Sequence, residues 1–163
     1  MIAQIVCLDT NILAWFLRTS RDQTEEKIER SDELISQLKS KKAVIAIPSI
    51  VLAEVACFIP DDAVQSFFDD IKKVFCIFPF NELAAYHYSI LTKHCRNVRV
   101  DGERWSKSAD IKIISTALAH GASCLYSEDQ DMPKLASDFL QVHSLPRLPP
   151  RQVTLLNTTP TIQ

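Results

Sequence analysis

The 163-residue sequence predicts an α/β fold, a three-layer α/β/α sandwich around a central parallel sheet. Three observations carry that expectation. Short apolar runs alternate with longer segments of helical periodicity, so each strand reaches the next across a helix, and such crossovers make parallel neighbours. The first run, Ile2 to Leu8, is almost continuously apolar, as a strand covered on both faces requires. Only two glycines occur, Gly102 and Gly121, which suits regular elements joined by few strained turns.

After the strand Ile2 to Leu8, Asp9, Thr10 and Asn11 are helix-capping residue types, and a helical stretch runs from Ile12 to Leu17. Residues 23–38 are charge-rich with apolar positions at Ile28, Leu34, Ile35 and Leu38, an amphipathic helix. Ala43 to Ile47 is a second strand; Pro48 and Ser49 start a helix carrying Val51, Leu52 and Val55. A helix from Asp61 to Lys73 turns Val64, Phe67, Phe68 and Ile71 inward, and Val74 to Phe78 is a third strand. Asn81 caps a helix reaching about His94. Arg96 to Trp105 is a polar loop turning at Asp101-Gly102. Ser106 or Ser108 caps the next helix, which stops at Gly121, a residue suited to the left-handed position after a helix end. Ser123 to Tyr126 and Phe139 to His143 are the last two strands. Residues 1–145 make one domain, followed by a proline-rich polar tail over 146–163, suited to disorder or to packing on a partner.

At 47% hydrophobic residues the chain has ample material for a core. No apolar run approaches the roughly 20 residues of a spanning helix, and the amino terminus lacks the pattern of a secretory signal. The five cysteines are odd in number, widely spaced and without a CxxC pair. Cys7, Cys76 and Cys124 fall inside strand-like runs, as small buried apolar residues do. A reduced cytoplasmic setting without membrane attachment is therefore expected. The formal net charge of −2 argues against nucleic-acid binding through a broad basic face. It leaves room for an enzyme that meets phosphates through bound cations.

Four acids stand out. Asp9 follows the first strand, where open parallel sheets build ligand sites, though it also fits a helix cap. Glu54 is the only charge between Lys42 and Asp61, and a carboxylate in so apolar a stretch is costly to bury unless paired or bound to a cation. A helix position facing water is its alternative. Asp110 opens a helix, where the dipole alone favours an acid. Asp129 follows the fourth strand as Asp9 follows the first, in a turn where Glu128 and Asp131 compete for the same role. In a doubly wound fold these places converge on one rim. Carboxylates brought together repel unless protons or cations neutralise them, and oxygen-only donors favour Mg²⁺ or Mn²⁺.

The stretches LDTNILAWFL, PSIVLAEV and SADIKIISTALAHGASCLYSEDQDM resemble, in order and spacing, the motifs of the PIN-domain family and its VapC-type ribonuclease toxins. The likeness runs from Ile5 to about Leu145. It implies a PIN-like α/β/α sandwich with Asp9, Glu54, Asp110 and Asp129 as metal-binding, catalytic acids. It implies Thr10, Asn11, Ser49 and Ser127 as polar supports of the pocket, with Asp131 as an accessory acid. Two departures stand out: Met132 replaces a usual aromatic residue, and Glu128 adds negative charge where Arg or Asn is common.

The implied activity is Mg²⁺- or Mn²⁺-dependent cleavage of single-stranded or loop RNA by activated water, leaving a 5′-phosphate and a 3′-hydroxyl. No side-chain nucleophile is needed, and His87, His94, His120 and His143 lie outside the acidic positions. Arg96, Arg99, Arg104 and Lys107 are candidate phosphate contacts, with Trp105 able to stack a base or to tuck onto the core. The resemblance also implies homodimers and, for a toxin, an antitoxin protein plugging the pocket with Arg or Lys. A PIN nuclease of RNA processing or decay, and a non-catalytic binding module, are the alternatives. A metal phosphatase would want a second Asp where Asn11 stands.

Overall fold

The computed structural model describes residues 3–95 and 107–148. Its elements are β1 (Ile5–Leu8), α1 (Thr10–Phe16), α2 (Glu25–Ser40), β2 (Val44–Pro48), α3 (Ser49–Ala56) and α4 (Val64–Val74). They continue as β3 (Cys76–Phe78), α5 (Glu82–Cys95), α6 (Ser108–Ala119), β4 (Cys124–Tyr126), α7 (Met132–Ala136) and β5 (Gln141–His143). All five strands pair in parallel, in the order β3-β2-β1-β4-β5, so Cys7 on β1 lies opposite Ala46 on one side and Leu125 on the other.

That order decides where a site can form. The chain steps outward from β1 to β2 to β3, then returns to add β4 and β5 on the other side of β1. Right-handed crossovers then put the helices between β1 and β3 on one face and those between β3 and β5 on the other, giving the three layers. Helices α5, α6 and α7 pack on one another, and α1 packs on α2 and α3; α3 also meets α6. The strand order reverses between β1 and β4, and their carboxyl ends flank the crevice where open parallel sheets bind ligands.

The central strands are apolar because both faces are covered: Val6, Cys7, Leu8, Ala46, Ile47 and Leu125 are fully buried. The helices contribute Ile12, Leu13, Leu34, Val51, Leu91 and Ile114 to the same core. Asn81 caps α5 by accepting the N–H of Ala84 at 3.0 Å. Gly121 takes φ +69 just past α6, the left-handed conformation its lack of a Cβ permits.

Several expectations are corrected. Neither Ala3 nor Gln4 joins β1, which begins at Ile5. Lys107, not Ser108, holds the position before α6; Ser108 is already helical, with its hydroxyl 3.1 Å from that of Tyr88. The helix expected from Asp61 starts at Val64, because residues 61–63 form a turn closed by Ala63 N–H on the Pro60 carbonyl. Of its apolar positions only Ile71 is buried; Val64, Phe67 and Phe68 are half-covered. Cys76 is exposed, because β3 is the sheet edge, whereas Cys7 and Cys124 are buried. The short helix α7 lies in a stretch where no helix is expected. Among the described residues no helix is long and apolar enough to cross a membrane.

Residues 144–148 leave β5 beside the same rim and are held there. Arg30 on α2 donates to the carbonyls of Leu145 (2.9 Å) and Pro146 (3.0 Å) and to the Glu128 carboxylate (3.2 Å). Glu128 in turn accepts the Leu145 N–H at 2.6 Å. The charge of Glu128 is thus paired with Arg30 and turned toward the end of the domain, rather than added to the acidic rim.

Candidate active site

Asp9, Glu54, Asp110 and Asp129 come from four different elements and line one cavity of about 410 Å³ at the carboxyl ends of β1 and β4. Each is placed by local structure. Asp9 terminates β1, donating its N–H to the Tyr126 carbonyl at 3.0 Å, and caps α1 by accepting the Thr10 N–H at 2.7 Å. The capping and site readings of Asp9 thus describe one residue. Glu54 lies in the second turn of α3, Asp110 in the first turn of α6, and Asp129 in the turn after β4.

Hydroxyls and main-chain groups fix these carboxylates. Ser127 is buried and donates to Asp9 Oδ2 at 2.6 Å, while its own oxygen accepts the Asp129 N–H at 3.0 Å. Thr10 donates its hydroxyl to Glu54 Oε2. Asp131 N–H reaches Asp129 Oδ1 at 2.8 Å. Asn11 lines the cavity, and its side-chain oxygen faces the Glu128 N–H at 3.5 Å. Ser49 does not line the cavity: its hydroxyl accepts the Phe80 N–H at 3.2 Å, tying α3 to the start of the β3–α5 connection.

The electrostatics follow from crowding in a half-closed space. Burial pushes the Asp9 carboxyl up to about 6, opposed by its Ser127 and Thr10 hydrogen bonds and reinforced by Glu54 and Asp129. Asp110 rises to about 7, first through burial and then through the charges of Asp9 and Asp129. Removing the Ser127 hydroxyl strips a buried carboxylate of its donor. Ser127→Ala is expected to cost about 1–3 kcal/mol in chemical denaturation. It should also raise the Asp9 pKa further in a carboxyl-resolved NMR titration. An unchanged pKa would show that Ser127 does not orient Asp9.

Lys107, expected to be a phosphate contact, is engaged inside the cluster: its Nζ lies 2.7 Å from Asp131 and 3.9 Å from Asp110. Asp131 also pairs with Lys134 at 3.0 Å, so it steers Lys107 and Asp129 rather than facing the cavity. Arg96, Arg99, Arg104, Trp105 and Ser106 lie outside the described residues.

All donors around the cavity are oxygens, the set that suits a hard divalent cation. Among the described residues no three His, Cys, Asp or Glu side chains already converge on a common ion position. By donor chemistry the residues fit Mg²⁺ or Mn²⁺.

Sequence reasoning passed over the opposite lip, formed by Ser20, Arg21 and Asp22 from the α1–α2 loop together with Phe58 after α3. None of these belongs to a periodic pattern or a charged motif. Only the exposed aromatic at the end of an apolar helix was a visible signal.

A PIN domain family model matches residues 6–138. A comparison of the sequence with curated proteins gives no match. Among solved structures, VapBC2 from Rickettsia felis, bound to a DNA fragment from its promoter, superposes with a TM-score of 0.61 at 22% identity, covering 88% of this chain and 100% of that one. VapBC-1 from nontypeable Haemophilus influenzae gives 0.61 at 18% identity, covering 86% and 98%. A toxin-antitoxin complex from Klebsiella pneumoniae gives 0.59 at 18% identity, covering 88% and 99%. At these identities the likeness is one of fold.

Proposed function

The chain belongs to the PIN-domain family, and from that premise we propose that it is a divalent-cation-dependent endoribonuclease, the toxin of a toxin–antitoxin pair. The observation that carries the reading is the convergence of Asp9, Glu54, Asp110 and Asp129 on one cavity at the sheet's switch point. These four residues would hold Mg²⁺ or Mn²⁺. The bound cation supplies Lewis-acid polarisation of the phosphate and a lowered pKa for water.

The chain's own contribution is placement. Ser127 and the Thr10 N–H fix the Asp9 carboxylate, and the Thr10 hydroxyl fixes Glu54. Hydrolysis forms a bond between a water oxygen and phosphorus and breaks the bond from phosphorus to the 3′ oxygen. The leaving oxygen takes up a proton, giving a 3′-hydroxyl and a 5′-phosphate. The substrate is single-stranded or loop RNA, whose phosphates can enter a cavity open at the rim. Solved structures of the same fold include VapBC and toxin–antitoxin complexes, which supports an antitoxin protein as partner; a homodimeric state is part of the same reading. A small reading frame directly upstream of the gene would favour the toxin role, and its absence would favour RNA processing.

Purified protein with Mn²⁺ or Mg²⁺ is expected to cleave unstructured RNA to 5′-phosphorylated fragments. Asp9→Asn should lower the rate by more than about 100-fold, beyond what loss of an outer support costs. Equal activity in the variant, or activity surviving EDTA, would overturn the reading.

A further inference from the structure

The lip of the cavity opposite the acids has a charge and a shape of its own. The α1–α2 loop is held by Asp22, which accepts from the buried Trp15 indole at 3.2 Å, from the Ser20 hydroxyl, and from Lys27 at 3.0 Å. Lys27 also donates to the Asp22 carbonyl at 3.0 Å and sits 4.6 Å from the Trp15 ring centroid. These donors hold the Asp22 carboxyl well below the usual carboxylate range, the Ser20 hydroxyl contributing most. A loop pinned at its middle fixes its neighbours. The neighbour is Arg21, which is exposed, lines the acidic cavity, and among the described residues has no hydrogen bond or ion pair. Among the described residues, Lys107 is paired with Asp131 and Arg30 with Glu128.

Phe58 stands on the same cavity, in the turn after α3, its N–H bonded to the Val55 carbonyl at 3.0 Å. Phe58 is 57% exposed, whereas Val51, Leu52 and Val55 of the preceding helix are buried. An exposed aromatic side chain and an exposed guanidinium on the wall of one cavity with four acids contribute little to folding. They suit a single-stranded nucleic acid, which offers an unstacked base and a phosphate one nucleotide apart.

We propose that Arg21 and Phe58 form the substrate-positioning lip of this site. Arg21 takes a phosphate flanking the scissile one, and Phe58 stacks an unpaired base of the same strand. The proposal rests on the nuclease reading above and deepens it. Acids alone repel an approaching polyanion; Arg21 supplies an attractive charge independent of the bound cation, and Phe58 demands that the base be free. Duplex RNA keeps its bases stacked and cannot satisfy Phe58, so the lip selects unpaired segments without reading a sequence.

The test uses a fluorescent single-stranded RNA with Mn²⁺, comparing wild type with Phe58→Ala, Phe58→Trp and Arg21→Ala. Phe58→Ala should raise KM roughly tenfold with kcat little changed, and Phe58→Trp should restore it. Arg21→Ala should raise KM and flatten the salt dependence of binding by about one phosphate contact. The same KM differences should persist as Kd differences for uncleaved RNA in EDTA. Unchanged KM in Phe58→Ala and Arg21→Ala, with wild type cleaving, would overturn the lip and leave the nuclease standing. So would a Phe58→Ala effect confined to oligomeric state or antitoxin binding, which would make the ring a protein contact. Absence of any cleavage or RNA binding by wild type would remove both.

Discussion

Asp110→Asn is expected to stabilise the cation-free protein at pH 8 while destroying the activity proposed for it. The folded-state pKa of Asp110 is raised from 3.8 to about 7, chiefly by burial and then by Asp9 and Asp129. Below about pH 4 the group is protonated whether folded or unfolded and the shift contributes nothing. As pH rises from there, the unfolded chain releases the proton and the folded one retains it, so stability falls until pH passes about 7. The full shift corresponds to at most about 4 kcal/mol. The side chain is still 19% exposed and shares its repulsion with Asp9, which brings the effect down to about 2 kcal/mol. For a domain of this size that is a rise in Tm of roughly 5 °C at pH 8, shrinking toward zero near pH 4.

Cations reverse the order. Saturating Mg²⁺ or Mn²⁺ should raise the wild-type Tm, by about 2.7 kcal/mol of linkage at a hundredfold excess over Kd, and should do far less for Asp110→Asn. Thermal melts of both proteins at pH 4, 6 and 8, with and without cation, give the whole comparison. A variant less stable than wild type at pH 8 without cation would show that the acids are not in mutual repulsion.

The same physics explains which parts of the site were legible in the sequence. Asp9 and Asp129 follow strands, Asp110 opens a helix, and Glu54 is the one charge in an apolar helix; each departs from a local rule, and such departures mark sites. The sheet was legible because buried parallel strands leave continuous apolar runs. Strand ends were less so: β1 and β4 are shorter than their apolar runs, since pairing stops where the neighbour stops.

What escaped is what depends on contacts between distant turns. Arg30 and Glu128 pair across 98 residues, and no spacing announces it, so Glu128 read as a stray charge beside the site. Lys107 read as a free cation because its partner Asp131 lies on the far side of α6 and β4 in the sequence. Asp22 belongs to no motif, yet its structural work is to pin the loop bearing Arg21. Helix α7 spans only five residues and has Pro133 in its first turn, too short for helical periodicity to show.

Leu125→Ala should be strongly destabilising, and its effect reaches the candidate site. Leu125 sits on β4 in register with Cys7 on one side and Val142 on the other, and it is fully buried. Truncating it removes apolar area and leaves a void that a close-packed sheet, braced on both faces, cannot collapse around. The cost is about 3–5 kcal/mol. Two residues further on, Ser127 leaves the same strand to donate to Asp9 and accept from Asp129. Loosening β4 therefore loosens the group that orients two of the four acids. Urea denaturation should show a midpoint shift at unchanged slope. The cation-induced rise in Tm should shrink in parallel, because the acids no longer hold their places in the native state. Leu83→Ala, at a position 49% exposed on α5, is the matched control and should stay within about 0.5 kcal/mol of wild type. A Leu125→Ala cost below about 1 kcal/mol, far under the range for a buried leucine, would mean that β4 is not locked into the sheet.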